Sequence, residues 1–337
     1  MKEAMFYEEL EGEKLRCRLC PWNCNISEGE RGVCGVRENK KGTLYSLSYN
    51  NLRSGTPDPI EKKPLFNFAP GTKTYSICTP GCNWKCKYCQ NWQLSQGSLN
   101  GRSVEPEEIV LAAKESGAQG ISYTYTEPTI FYELAYETAK LAKEEGLYNT
   151  FVTNGYINPE PIRKIGPYLD AVTVDFKGSG DEDFLKEFAG VKSADPIYKA
   201  INEYSNQGIH VEITDLIVPR VGDSEAKIEQ LVNWVVDNLG VETPIHFLRF
   251  YPAHEVQDLP PTDVSKLETA RDIAEAAGVK YVYLGNVRSD NDTRCPACGN
   301  KVVNRSGGRL MKLNLKNGRC SECGTEVDLS GLKWVRS

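Results

Sequence analysis

"TPGCNWKCKYCQNW", residues 79–92, decides the reading of this chain. Cys82, Cys86 and Cys89 stand at the spacing C-x3-C-x2-C, with Tyr88 just ahead of the last one. Disulfides use cysteines in pairs, and a closed zinc site takes four ligands. Three thiolates can instead hold three irons of a 4Fe–4S cube and leave one iron without a protein ligand. An open position on a metal is where an outside molecule binds. Cys78 lies four residues earlier, inside an apparent strand, where it can face the core as a small hydrophobe. On the competing zinc-knuckle reading it would be the fourth ligand.

Outward from this loop, residues 73–286 alternate short apolar runs with amphipathic segments. Strands are expected at 74–78, 120–126, 148–154, 171–177, 210–219, 244–252 and 280–285. Segments such as "EPEEIVLAAKESGA" and "SEAKIEQLVNWVVDNLG" between them carry helical spacing and end near glycine. Repeated βα units imply a parallel sheet, and about seven strands suit a barrel or a doubly wound sheet. No G-x-G-x-x-G follows the first strand, so the barrel is favoured. Chemistry in such a barrel sits where strands end. The three-cysteine loop, Glu127, Thr153 and Asn154, Asp175 and Lys177, and the stretch His246–His254 all fall there on this reading, on one rim.

Residues 1–72 are rich in Gly, Pro and charge with little periodicity, and read as a separate cysteine-rich segment. "NVRSDNDTR" reads as a linker into a third unit, 287–337. The 337 residues, 40% hydrophobic and 26% charged, describe a globular chain without an apolar run long enough to span a bilayer. The opening has no basic region followed by an apolar core, so a cytoplasmic location is expected. A reducing cytoplasm disfavours disulfides, and the twelve cysteines are bunched, which points to metal. Residues 295–337 carry eight Lys or Arg against three Asp or Glu, a local +5 in a chain of net -6. A basic tail on an acidic body suits either an anionic partner or a well-solvated small domain.

Two further cysteine groups flank the array. Cys295, Cys298, Cys320 and Cys323 form C-x2-C-x21-C-x2-C, the spacing of a zinc ribbon. Cys17, Cys20, Cys24 and Cys34 form C-x2-C-x3-C-x9-C, which matches neither common ferredoxin pattern. They read as metal ligands, with zinc and an auxiliary iron–sulfur cluster equally open.

"TPGCNWKCKYCQNW", with "CRLCPWNCNISEGERGVCGVREN", "YTEPTIFYE", "VTNGY", "VDFKG", "TDLIVP", "HFLRFYP" and "YLGNV", resembles the radical S-adenosylmethionine superfamily. Within it, the chain is similar to activating enzymes of glycyl radical enzymes, and most closely to AmmeMemoRadiSam-type proteins. The resemblance implies a partial (β/α)6-type α/β barrel with an N-terminal Cys-rich segment and a C-terminal zinc ribbon. It implies that Glu127 and the backbone at Thr126 meet the cofactor's amino group, with Tyr125 and Thr126 in place of two glycines. Lys177 is implied as partner of the cofactor carboxylate, with Asp175 and Asn154 beside it. Tyr88 is implied near adenine, and His254 at the ribose. A sulfonium ligand that carries one carboxylate and one amino group calls independently for a nearby Glu and a nearby Lys. His246 and Arg249 suit either substrate binding or loop bracing.

The expected activity is reductive cleavage of S-adenosylmethionine and hydrogen abstraction from a protein or peptide, fed by an external one-electron donor. The alternatives are radical modification of RNA or a small metabolite, and a non-catalytic metal scaffold. The tail offers few aromatics for stacking RNA bases besides Trp334. A scaffold has no need of the Glu127, Asn154, Asp175 and Lys177 set.

Overall fold

The computed structural model describes residues 1–335, so the last two residues of the expected C-terminal unit lie outside the described residues. Its centre is one eight-stranded sheet: β1 (Ser54–Pro59), β2 (Lys73–Cys78), β3 (Gly120–Tyr123), β4 (Tyr148–Thr153), β5 (Ala171–Lys177), β6 (His210–Ile217), β7 (Ile245–Arg249) and β8 (Val282–Gly285). Strands β2 to β8 pair in parallel, each with the next in sequence, and β1 adds antiparallel to β2. The order never reverses, unlike a doubly wound sheet, and β1 and β8 are not paired, so the sheet is mixed and open.

Helices cover the outside: α1 (Pro106–Glu115), α2 (Tyr132–Glu144), α3 (Pro159–Ile165), α4 (Asp195–Asn206), α5 (Glu225–Leu239) and α6 (Val264–Ala276). On α5, Ile228, Leu231, Val232 and Val235 recur at helical spacing and are buried. At α1, Glu105 at the cap and Glu108 in the first turn form a reciprocal capping box, with Pro106 opening the helix. α4 lies where no helix is expected from the sequence. "DEDFLKEFAG", helix-like in sequence, forms one α-helical turn, Glu182–Phe184, running into a five-residue π-helical stretch, Leu185–Ala189.

Facing strand positions carry hydroxyls rather than aliphatic side chains. Thr74 bonds Ser122 at 2.7 Å, and Ser122 bonds Thr150 at 2.6 Å. The segment after β1 runs against this polar face. Phe66 and Asn67 donate their N–H groups to Glu212 near the start of β6, and Thr173 donates to the Lys63 and Pro64 carbonyls. Glu212 is wholly buried and its pKa is held down to about 2: burial opposes this, but hydrogen bonds from His210 and His246 prevail. His246 is therefore a brace at the opposite end of the strands, because it is the second residue of β7. The expectation that it shares the functional rim is corrected.

The N-terminal residues form two small antiparallel sheets, of strands 2–3, 37–40 and 43–46 and of strands 7–9, 15–17 and 25–26. Leu15, Cys17, Leu19 and Val36 belong to the same apolar core as β3 and α2. The C-terminal residues pack on the far end of the sheet, where Val302, Val303 and Val327 bury Phe66, Tyr281 and Tyr283. No helix among the described residues is long and apolar enough to cross a membrane.

Candidate functional site

The strand ends converge on a cleft of about 300 Å³. That is within the range of small-molecule sites. Cys82, Cys86 and Cys89 line it from the loop after β2, Thr126 and Glu127 from the loop after β3, and Thr153 and Asn154 from the end of β4. Asp175 and Lys177 come from the end of β5, two apart so that both face inward. Tyr88 lines it too, stacked 5.6 Å from Phe184. Trp84, Leu216, Leu248 and Phe250 supply apolar wall. Cys78 is fully buried at the end of β2 and does not line the cleft.

Glu127 caps the short turn Pro128–Phe131 and is held by four donors. One carboxylate oxygen accepts from Thr129 N (3.0 Å), Thr129 Oγ1 (2.6 Å) and Thr153 Oγ1 (2.7 Å), the other from Asn154 N (2.8 Å). Burial nevertheless raises its pKa, those bonds opposing. Asn154 is fixed in turn, donating to Asn83 at 2.9 Å and accepting from Tyr156 N at 2.8 Å. Lys177 Nζ lies 2.8 Å from Asp175, which also accepts from Thr214. Burial opposes the Lys177 charge, but Asp175 keeps its pKa above the ordinary value.

Tyr125 takes φ +62°, the left-handed conformation that favours glycine. The strain is held by its side chain. The hydroxyl donates to Asp58, the ring lies 4.3 Å from Lys63 Nζ, and the carbonyl accepts from Asn91 at 3.0 Å. The chain thus keeps the backbone shape of a glycine turn with a tyrosine.

His254 is not among the lining residues; it stacks on Trp92, centroids 4.7 Å apart. Arg249 braces a loop through the Thr262 carbonyl at 2.7 Å. The sequence reading missed Lys62 and Lys63, which line the cleft from the "DPIEKKP" segment and pair with Asp58 at 2.8 and 2.9 Å. It also missed Asp215, which accepts from Ser179 N (2.8 Å) and Ser179 Oγ (2.6 Å) and so fixes the turn after Lys177. Burial pushes Asp215 up to about 6. An acidic residue alternating into a strand was the available signal.

The two outer cysteine groups differ in geometry. Among the described residues, Cys295, Cys298, Cys320 and Cys323 are the one group of three or more possible ligands whose atoms all lie within 4.8 Å of each other. Cys295 and Cys323 sulfurs are 3.5 Å apart, Cys298 and Cys320 3.7 Å. Four thiolates around one tetrahedral ion at 2.3 Å would stand about 3.8 Å apart. Cys17, Cys20, Cys24 and Cys34 are spread more widely around one small cavity.

The family model described as the Radical SAM superfamily matches residues 76–235. An uncharacterized protein of Methanocaldococcus jannaschii is 43% identical over 336 residues, 98% of this chain and 99% of its own length. The chain belongs to the radical SAM superfamily. This radical SAM enzyme is 29% identical over 185 residues to the pyruvate formate-lyase-activating enzyme of Clostridium pasteurianum, across 51% of this chain and 73% of that one. SuiB of Streptococcus suis, solved bound to S-adenosylmethionine, shares the fold with a TM-score of 0.50 at 16% identity, over 61% of this chain and 48% of that one.

Radical SAM membership implies a 4Fe–4S cluster and S-adenosylmethionine, and the cleft fits both. Burial pushes the Cys82 thiol well above its ordinary value, with Glu127 and Cys86 adding to the effect. Cys86 is pushed up to about 12, also chiefly by burial. Thiolates in such a place need a cationic partner, which iron supplies. Trp84 N–H reaches the Cys82 sulfur at 3.4 Å. The Tyr88 hydroxyl and the Trp84 indole nitrogen are buried without hydrogen-bond partners, and both residues line the cleft. Those are groups that a polar ligand would satisfy.

Proposed function

We propose that this enzyme binds a 4Fe–4S cluster through Cys82, Cys86 and Cys89, and S-adenosylmethionine beside it, in a partial barrel open at its strand ends. The observation that carries the reading is the convergence of three half-buried thiols, a carboxylate held by four donors and an ion-paired lysine on one cleft. When bound, the cluster supplies the electron that splits S-adenosylmethionine into methionine and a 5'-deoxyadenosyl radical. Glu127 accepts the cofactor's ammonium, its position set by four donors, and Lys177 meets the carboxylate while Asp175 holds the lysine in place. Asn154 and the backbone at Thr126 offer further polar contacts, and Tyr88 borders the adenine. Trp84, Leu216, Leu248 and Phe250 keep water from the reacting carbon, which a primary radical requires. His254 would need to leave Trp92 to reach a ribose.

The hydrogen donor in this reading is a protein or peptide, supported by the similarity to an activating enzyme that acts on pyruvate formate-lyase. Lys62 and Lys63 at the cleft suit an anionic or carbonyl-bearing segment of it. The C-terminal cysteines hold zinc, supported by sulfur separations close to those of a tetrahedral site. The test is anaerobic turnover with deuterated candidate partners. Deuterium appearing in 5'-deoxyadenosine only with a protein partner supports the reading. Deuterium arriving from RNA or a small metabolite instead would replace it.

A further inference from the structure

We infer that Cys17, Cys20, Cys24 and Cys34 hold a second iron–sulfur cluster, not zinc, and that it relays the electron from a low-potential one-electron donor protein to the Cys82–Cys89 loop. The relay half rests on the radical SAM reading; the cluster half does not.

The geometry separates the two metals. One zinc ion would draw four sulfurs to about 3.8 Å of each other, a spacing that the C-terminal group approaches with separations of 3.5 and 3.7 Å. An iron–sulfur cube gives each thiolate its own iron and keeps the sulfurs apart. The N-terminal cysteines fit the second pattern. All four line one largely enclosed cavity, yet no three of their sulfurs come within 4.8 Å of one another. Leu19, Trp22, Ile26 and Ile130 supply apolar wall, and Gly32, Arg37 and Thr129 complete the lining. One cation and several N–H donors point at the sulfurs, which suits a negatively charged thiolate cluster. Arg37, fully buried, donates to Cys17 Sγ at 3.4 Å, and the N–H groups of Trp22, Val33 and Val36 serve Cys20, Cys24 and Cys34.

This site backs directly onto the cleft. The Cys34 carbonyl lies 3.2 Å from where a Cβ on Gly81 would sit, next to Cys82. The Trp22 indole donates to the Asn83 carbonyl at 2.8 Å. Trp22 and Trp84 each stand 6.0 Å from the Tyr156 ring, so an aromatic bridge runs from the lining of one cavity to the lining of the other. Cys20, Cys24 and Cys34 are partly exposed, and Val33 beside them is an exposed apolar side chain, so a donor protein can approach. In the relay, the donor is oxidised by one electron and the N-terminal cluster is reduced by one. The same electron then leaves for the loop, restoring the N-terminal cluster.

The test uses the full chain, reconstituted anaerobically, with iron, sulfide and zinc counted per protein and Mössbauer spectra recorded. The variant combining Cys82→Ala, Cys86→Ala and Cys89→Ala should keep about four irons, four sulfides and one zinc. The variant combining Cys20→Ser and Cys24→Ser should lose about four irons and keep the loop's set. Two zincs and no iron in the loop variant would overturn the cluster. Loss of all iron in the Cys20/Cys24 variant alone would instead indict the loop assignment. For the relay, stopped-flow reduction of the loop cluster by reduced flavodoxin should slow by at least an order of magnitude in the Cys20/Cys24 variant, with S-adenosylmethionine affinity unchanged. An unchanged reduction rate would end the relay.

Discussion

Replacing Glu127 by glutamine separates the carboxylate's two roles, bracing and binding. Three donors converge on one oxygen and one on the other. The glutamine NH2 will therefore take the position facing Asn154 N–H, losing one bond and keeping three. A lost hydrogen bond to a charged group costs about 1.5–3 kcal/mol. Removing a buried charge whose pKa burial already raises gives part of that back, so the ligand-free protein should lose at most about 2 kcal/mol of stability. No such relief applies to the cofactor's ammonium, which loses its counter-charge. Its affinity should fall by about 1.5–3 kcal/mol, roughly tenfold to a hundredfold in Kd. Calorimetric titration of Glu127→Gln with S-adenosylmethionine and with 5'-methylthioadenosine, which lacks the amino acid moiety, reads the difference. S-adenosylmethionine should weaken and 5'-methylthioadenosine should not. Equal weakening of both would mean Glu127 only shapes the loop, and no weakening of either would remove it from the site.

Three further outcomes are expected. Lys177→Met should weaken S-adenosylmethionine by about tenfold or more while cluster content stays constant; unchanged affinity in calorimetry would remove Lys177 from the cofactor's carboxylate. Asp215→Asn tests a pH window: a buried carboxyl raised from 3.8 to about 6 costs stability progressively as pH rises from about 4 to about 6, and no further above that. Asparagine can still pair with both Ser179 groups, so the variant should gain on the parent as pH rises from about 4 to about 6, by on the order of 3 kcal/mol in all, with no further gain up to pH 8; a stability difference that stays the same from pH 4 to pH 7 would refute this. Arg305→Met strips the buried guanidinium that bonds Thr293 and Asn291 and faces Glu61, leaving that acid unpaired. It should cost about 3–5 kcal/mol and raise hydrogen exchange across 291–335, and unchanged exchange would mean the C-terminal unit is not fastened there.

The strand array was legible because β2 to β8 are buried on both sides and read as short apolar runs between amphipathic helices. The cleft was legible because chemistry sits where those strands end, and the residues named there line one cavity, with His246, Arg249 and His254 as the exceptions. What escaped was the inside of the sheet. Thr74, Ser122, Thr150 and Thr173 pair with each other or with carbonyls of the 60–72 segment, and neither hydroxyls nor a charged "DPIEKKP" advertise burial. Lys63 is 1% exposed only because Asp58 and the Tyr125 ring receive it, partners about five and sixty residues away. α4 was missed because its Asp-Pro start and Tyr-Ser-Asn end look like a loop, although Ile197, Ala200, Ile201 and Tyr204 form a buried face. His246 was misplaced because the expected strand, 244–252, ran beyond Arg249 and the whole stretch His246–His254 was assigned to the rim, although His246 is the second residue of β7.

The central claim is that the three-cysteine loop and the charged cleft together cleave S-adenosylmethionine. The direct measurement is product analysis after the reconstituted, chemically reduced full chain is incubated with S-adenosylmethionine under strict anaerobiosis. The account predicts 5'-deoxyadenosine and methionine in equal amounts from the parent protein and from Cys78→Ala, and none from Cys82→Ala, Cys86→Ala or Cys89→Ala. Cleavage at the parent rate in any of those three variants, or none by a parent chain carrying its full complement of iron and sulfide, would contradict it.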